Sequence, residues 1–224
     1  MPVRVLLSPR APSSLLSVRN HDREPLRLQL SVYAWAQNAK GEMQLTPTQD
    51  IVFFPRLLTV APGEERKVRI GAAAPFAATE KTYRLMVEEL PPPAKAGEGG
   101  TGVQVGVLLR LSIPIFLQPA QPAAKSQIEA MAVHHRRFSF ALKNLGNVHF
   151  RPQAVEVKGQ GAAGESVFQQ KAASWYVLAG GLREYELELP AADCARIKTL
   201  TVEVQTKQEN FNQRFDPPAG ACGE

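Results

Sequence analysis

The stretch Leu26-Arg27-Leu28-Gln29-Leu30-Ser31-Val32-Tyr33-Ala34 places an apolar side chain at every second position. A period of two is that of a strand with one buried face. Before it, Asn20-His21-Asp22 and Glu24-Pro25 carry side chains that hydrogen-bond their own backbone and a proline that cannot extend a ladder, so they predict a turn. The pattern repeats downstream. Ile51-Val52-Phe53-Phe54 stops at Pro55, Leu57-Leu58-Thr59-Val60 stops at Ala61-Pro62-Gly63, and Lys67-Val68-Arg69-Ile70 follows. Pro62-Gly63 suits a type II turn, because proline presets the first central dihedral and glycine accepts the positive second one. Tyr83 to Leu90 and Val103 to Leu117 read as two further strands, separated by Pro91-Pro92-Pro93 and a Gly-rich tract. Short strands with proline and glycine turns, and no amphipathic helix in this half, predict an all-β sandwich.

The segment Gln118-Pro119-Ala120-Gln121-Pro122-Ala123-Ala124 has no core-forming pattern and reads as a stiff connection. It divides the 224 residues into two expected domains, 1–118 and 119–224. In the second, Phe138 to Leu142, Ala154 to Val157, Tyr185 to Leu189 and Leu200 to Val204 are again strand-like, which predicts another, smaller β-sandwich.

Composition narrows the function. The net charge is +5, but the basic residues are scattered and no docking motif accompanies them, which argues against nucleic acid. No apolar run reaches the length of a membrane span, so no membrane insertion is expected. The start of the chain lacks a charged-then-apolar signal plan, so a secreted protein would have to be a processed form. Cys194 and Cys222 are the two cysteines, and neither lies in a Cys-x-x-Cys arrangement. One disulfide, worth about 3–4 kcal/mol and implying an oxidising compartment, is the economical reading; two buried reduced thiols are the alternative. His134, His135 and His149 have no third ligand at a recognisable spacing, so no metal is expected. No cofactor is expected, since Gly97-Glu98-Gly99-Gly100 lacks the lysine and helix of a phosphate loop. There is no nucleophile elbow and no defensible pair of catalytic carboxylates, so an enzyme is not expected.

One segment stands apart. Val103, Val105, Val107 and Leu109 alternate with Gln104, Gly106, Leu108 and Arg110, and Leu111, Ile113 and Ile115 prolong the apolar row. About 15 residues is long for a strand. Taken alone it is either a central strand filling its own sandwich or an edge strand offered to a partner by β-augmentation.

A series of short motifs bears on that choice: Ser17-Val18-Arg19-Asn20, Tyr33-Ala34-Trp35, Leu45-Thr46-Pro47-Thr48, Phe54-Pro55, Val60-Ala61-Pro62-Gly63, Val68-Arg69-Ile70, Tyr83-Arg84-Leu85 and Glu89-Leu90-Pro91. In order and spacing it resembles the PapD-like periplasmic pilus chaperones, and within them the archaic, Csu-like branch. Asn144-Leu145-Gly146-Asn147-Val148-His149 resembles the family's Asn-x-Gly-Asn turn in the second domain. The resemblance implies two immunoglobulin-like domains at an angle with a cleft between them. It further implies a donor strand at 103–117 whose Val103, Val105, Val107 and Leu109 fill the groove of an incomplete pilus subunit, and delivery of that subunit to an outer-membrane usher. An exposed edge of this kind is open to self-association when free. An immunoglobulin-like adhesion or scaffold module is the competing reading.

The resemblance also implies an anchor for the subunit's terminal carboxylate. Arg4 aligns with its first-strand arginine, and a guanidinium pairs with a carboxylate through two parallel hydrogen bonds. Pro114 stands where better-known members have a lysine, so Arg84 is the expected second cation and Arg110 a weaker candidate. Arg69 and Glu80 resemble members of a charged network, and Phe54-Pro55 is a candidate cis peptide.

Overall fold

The computed structural model describes residues 4–91 and 107–222. The chain divides into two compact units, one comprising 1–35 and 45–120, the other 36–44 and 121–224. Both are β-sandwiches.

The strands that build the first unit are β1 (Val5–Leu7), β2 (Ser13–Arg19), β3 (Leu26–Gln37), β4 (Met43–Pro47), β5 (Ile51–Phe54), β6 (Leu57–Val60), β7 (Glu65–Ala72), β8 (Lys81–Glu89) and β9 (Arg110–Leu117). One sheet has the order β1-β9-β8-β3-β4, with β6 also paired to β3; the other is β2-β7-β5. The predicted alternation of β3 is realised: Leu28, Leu30 and Val32 are buried. They meet Leu16, Val68 and Ile70 from the facing sheet in a core that also takes Leu85 and Ile115. The Tyr83 hydroxyl, carried into this core, donates to Asp50 Oδ2 at 2.7 Å. Burial, and then the Asp50 carboxylate that accepts its proton, raise the phenol above its ordinary range. The Pro62-Gly63 turn forms as expected, with Gly63 at φ 74° and the Glu64 N–H bonded to the Ala61 carbonyl. The Phe54-Pro55 peptide is cis.

The second unit contains β10 (Ser126–His134), β11 (Arg137–Asn144), β12 (Ala154–Gln160), β13 (Ser166–Ala172), β14 (Leu182–Glu188), the single-turn α1 (Ala191–Cys194), β15 (Thr199–Gln205) and β16 (Asn210–Phe215). Its sheets are β10-β11-β14 and β13-β12-β15-β16. Phe138, Phe140, Val157, Leu200 and Val202 fill the space between them, and Phe140 stacks on Tyr185 at 4.9 Å. Of the two readings of the cysteines, the disulfide is the one formed: Cys194 is bonded to Cys222, 28 positions away, and the closed loop contains β15 and β16. His135 and Arg136 form the β10–β11 turn at positive φ.

The same asparagine device closes a turn in each unit. Asn20, at the end of β2, donates through Nδ2 to the Glu24 and Val60 carbonyls at 2.7 and 2.9 Å, and its Oδ1 accepts from the Asp22 N–H at 2.9 Å. Asn144, at the end of β11, donates to the Val148 and Val177 carbonyls at 2.9 and 3.0 Å and accepts from the Gly146 N–H at 2.9 Å. Both side chains are buried, so their polar atoms need these partners. Gly146 is required because a Cβ there would lie 2.4 Å from the Ala123 carbonyl oxygen. That close approach lets Asn147 bond Ala123 and Gln121, fixing the connecting segment to the second unit.

Candidate functional site

The candidate feature lies on β9, whose two edges are covered unequally. Along one edge β8 pairs with it in antiparallel register over its whole length, from Glu88 opposite Arg110 to Lys81 opposite Leu117. Along the other, β1 runs parallel to it only beside Ile115, Phe116 and Leu117. Among the described residues no strand lies beside the stretch from Arg110 to Pro114 on that edge.

The backbone direction follows from the hydrogen bonds at the ends of the strand. The Leu109 carbonyl accepts from the Glu89 N–H at 2.8 Å, and the Leu109 N–H donates to the Glu89 carboxylate at 3.0 Å, so Leu109 faces β8. The Gln118 N–H donates to the Leu7 carbonyl at 2.8 Å, so Gln118 faces β1. Successive residues of an antiparallel strand alternate in this respect. Residues 111, 113, 115 and 117 therefore serve β8, whereas Arg110 and Ser112 present their N–H and C=O groups to the uncovered edge. Pro114 faces the same way but has no N–H to offer.

Of the expected strand 103–117, the described part is β9 at Arg110–Leu117, preceded by Val107, Leu108 and Leu109. The reason it starts at Arg110 lies in β8. The Leu90 N–H is turned to the Arg27 carbonyl at 2.8 Å and Pro91 has none, so neither donates to the residues before Leu109. Val103 and Val105 lie outside the described residues. Val107 is 92% exposed and Leu109 46% exposed, while Leu111 is half-buried and Ile113, Ile115 and Leu117 are buried. The apolar row thus runs from the sandwich core out into solvent beside an open ladder.

The expected anchor residues fall on the outward face of this sheet. The register that sets Val5 beside Ile115 brings Arg4 alongside Pro114, and Arg84 is the direct partner of Pro114 from β8. Val5 and Leu7 are buried, so by alternation Arg4 shares the opposite face with Leu6 and is exposed. Arg84 differs in being only 2% exposed, with its guanidinium carbon 3.7 Å from the centre of the Trp35 ring. Trp35 therefore fixes the guanidinium in place by a cation–π contact, a support that sequence reading missed. Arg110 lies four residues from Pro114 and is paired with Glu88 at 2.9 Å.

Other candidates are placed elsewhere. Glu80 is buried and Arg69 exposed. Arg69 lies in a row between Leu15 and Phe54 on the outward face of the β2-β7-β5 sheet, where Leu15, Val52 and Phe54 are exposed. Among the described residues no group of three or more His, Cys, Asp or Glu side chains is placed to hold a metal ion. Nor is any helix among them long and apolar enough to cross a membrane.

Comparison with known proteins adds a family and a fold. The family model for the PapD N-terminal domain of pili and flagellar-assembly chaperones matches residues 1–123. No curated protein matches. A chain of the CsuC–CsuE chaperone–tip adhesion subunit pre-assembly complex from archaic Csu pili of Acinetobacter baumannii is similar at 17% identity and a TM-score of 0.63, with 97% of each chain covered. The Pseudomonas aeruginosa CupB2 chaperone is similar at 15% identity and a TM-score of 0.60, over 96% of this chain and 98% of that one. A chain of the Salmonella enterica complex of SafA pilin with the SafB chaperone gives 14% identity and a TM-score of 0.60, over 95% and 93%. At such identities these three establish the two-sandwich fold.

Proposed function

The chain belongs to the family of pili and flagellar-assembly chaperones, and on that premise we propose that it works in the periplasm, binding pilus subunits by lending them a strand and delivering them to an outer-membrane usher. The observation that carries the reading is the half-covered β9, with paired backbone on one edge, no strand among the described residues beside Arg110 and Ser112 on the other, and apolar side chains running out to Val107. An immunoglobulin-like subunit that lacks one strand has a complementary edge and groove. Pairing along β9 would complete it without ATP, by main-chain hydrogen bonds plus burial of alternate side chains.

The carboxylate anchor is proposed on Arg4, the exposed guanidinium beside Pro114. Arg84, held on Trp35, contributes positive charge on the far side of the same row. Arg110 is the lesser candidate because Glu88 already neutralises it. Delivery needs a surface that stays available while β9 is occupied, and the exposed row of Leu15, Arg69 and Phe54 on the other sheet offers one. The same exposed β9 edge supports capping by a second copy in the free state.

The test is co-expression with immunoglobulin-like subunits followed by copurification, using the intact chain and the double variant Val107→Asp, Leu109→Asp. Both side chains are solvent-exposed, so the fold is expected to survive. Burying side chains of this size is worth about 1.5–3 kcal/mol each, so the variant should lose capture by 100-fold or more on the order-of-magnitude scale. Undiminished capture by a folded variant would sink the proposal.

A further inference from the structure

We infer that β14, in the second unit, is a docking edge for an extended partner segment that carries lysine or arginine at alternate positions. The inference concerns the second unit alone and stands apart from the strand-donor reading of β9.

Hydrogen-bond directions define the edge. The Asn144 N–H donates to the Gly181 carbonyl at 2.9 Å and the Leu189 N–H to the Arg136 carbonyl at 2.8 Å, so residues 181 and 189 face β11. By alternation 183, 185 and 187 do the same, whereas Glu184, Glu186 and Glu188 turn their N–H and C=O groups to the other side. Among the described residues no strand lies beside β14 there. At Glu184 the N–H donates to the Ala39 carbonyl at 2.7 Å. Ala39 belongs to the β3–β4 hairpin, whose residues 36–44 pack with the second unit. The hairpin turns back at once, the Gly41 N–H returning to the Asn38 carbonyl at 2.9 Å, and so leaves the edge at Glu186 and Glu188 without a neighbouring strand.

The hairpin also shows which chemistry the edge accepts. Lys40, next to the bonded Ala39, lines a groove of about 510 Å³ with Glu129, Ser139, Ala141, Glu184 and Glu186. The molecule thus already seats a lysine-bearing stretch of backbone on this edge, over a floor of small side chains. Glu184, Glu186 and Glu188 are exposed and, being two residues apart, stand on one face. Arg137 reaches Glu186 at 3.0 Å in a pair open to water, and Lys143 stands opposite Leu182, away from Glu188. Glu129 and Glu188 make no ion pair among the described residues. A second copy fits poorly, because two β14 edges paired antiparallel around Glu186 would set glutamates against glutamates. A strand with a cation at every second residue sets them opposite Glu186 and Glu188 while its backbone extends the ladder.

The probe is the peptide acetyl-Lys-Val-Lys-Val-Lys-amide, with acetyl-Glu-Val-Glu-Val-Glu-amide as its counterpart. Each is added to the full chain and to its Glu186→Lys, Glu188→Lys double variant, and hydrogen–deuterium exchange is read residue by residue. Both replaced side chains are exposed, so the variant is expected to fold. The basic peptide should slow exchange at Glu186 and Glu188, the acidic one should not, and the double variant should bind the basic peptide about tenfold more weakly, the scale of two exposed charge pairs lost. Equal slowing by both peptides would overturn the choice of a basic occupant. Slowing that grows with protein concentration in the absence of peptide would name a second copy as the occupant and overturn it as well. No slowing with either peptide, or slowing confined to Arg110 and Ser112, would overturn the docking edge and leave the reading of β9 untouched.

Discussion

Asn144→Ala should weaken the second unit through loss of three hydrogen bonds that its buried amide makes. The Val177 carbonyl would keep the Phe150 N–H, and the Gly146 N–H would keep the Lys125 carbonyl, each at 3.1 Å. Those two losses are therefore partial, about 0.5 kcal/mol each, whereas the Val148 carbonyl loses its side-chain donor at about 1 kcal/mol. The sum of about 2 kcal/mol corresponds to a fall of about 8–16 °C in the unfolding midpoint of a unit this size. Asn20→Ala removes the same three-bond device from the first unit and should cost a similar amount there. Scanning calorimetry of the two variants and their combination reads both effects, which should add because the sites share no partner. Asn144→Asp is a sharper variant. It keeps an acceptor for Gly146 but points a carboxylate at two carbonyls, so it should be worse than alanine at neutral pH and recover as the pH falls through the carboxylate range. A loss below about 0.5 kcal/mol for Asn144→Ala would refute the assignment of these bonds as the closure of the turn.

Other expectations follow from single contacts. The Tyr83 phenol is held protonated in the fold, so its stabilisation is complete below about pH 10, the value of an exposed tyrosine, and shrinks as the pH rises above it. Tyr83→Phe should lose about 1 kcal/mol at neutral pH and flatten alkaline unfolding between about pH 10 and 12, as measured by urea titration. Replacing Cys194 and Cys222 together by alanine opens the loop of 28 positions and should cost the second unit about 3–4 kcal/mol, read by the urea midpoint with and without reductant; the intact protein should respond to reductant and the variant should not. Phe54→Asp, on an exposed side chain, should leave subunit capture unchanged while reducing transfer to the usher in a reconstituted assembly assay.

Much of the fold was legible because its strands alternate. The β3 pattern and the turn at Pro62-Gly63 were readable residue by residue, since period and turn chemistry are local properties. Strands such as β10, β13 and β16 were not, because their faces are polar or interrupted: β16 reads Asn-Phe-Asn-Gln-Arg-Phe and β10 carries a bulge at Ala130. The hydrophobic alternation of β9 continues upstream of Arg110, but among the described residues its pairing ends where Leu90 and Pro91 stop offering N–H groups, and that is a property of the neighbouring strand. At the site, the resemblance named Arg4 and Arg84 as anchor candidates but not their surroundings. That they flank Pro114 on one face depends on register, and that Arg84 lies on Trp35 depends on packing. Pro114 read as a missing lysine; its missing N–H acquires meaning only once the direction of each β9 amide is known.

That alternation of amides also supplies the most direct test of the central claim. Hydrogen–deuterium exchange at single-residue resolution should show Leu111 and Ile113, which face β8, protected in the free chain and equally in a complex with a pilus subunit. Arg110 and Ser112, which face the uncovered edge, should exchange rapidly in the free chain and become protected in the complex. If Arg110 and Ser112 exchange alike with and without the subunit while the complex persists, then β9 does not lend its edge and the account is wrong.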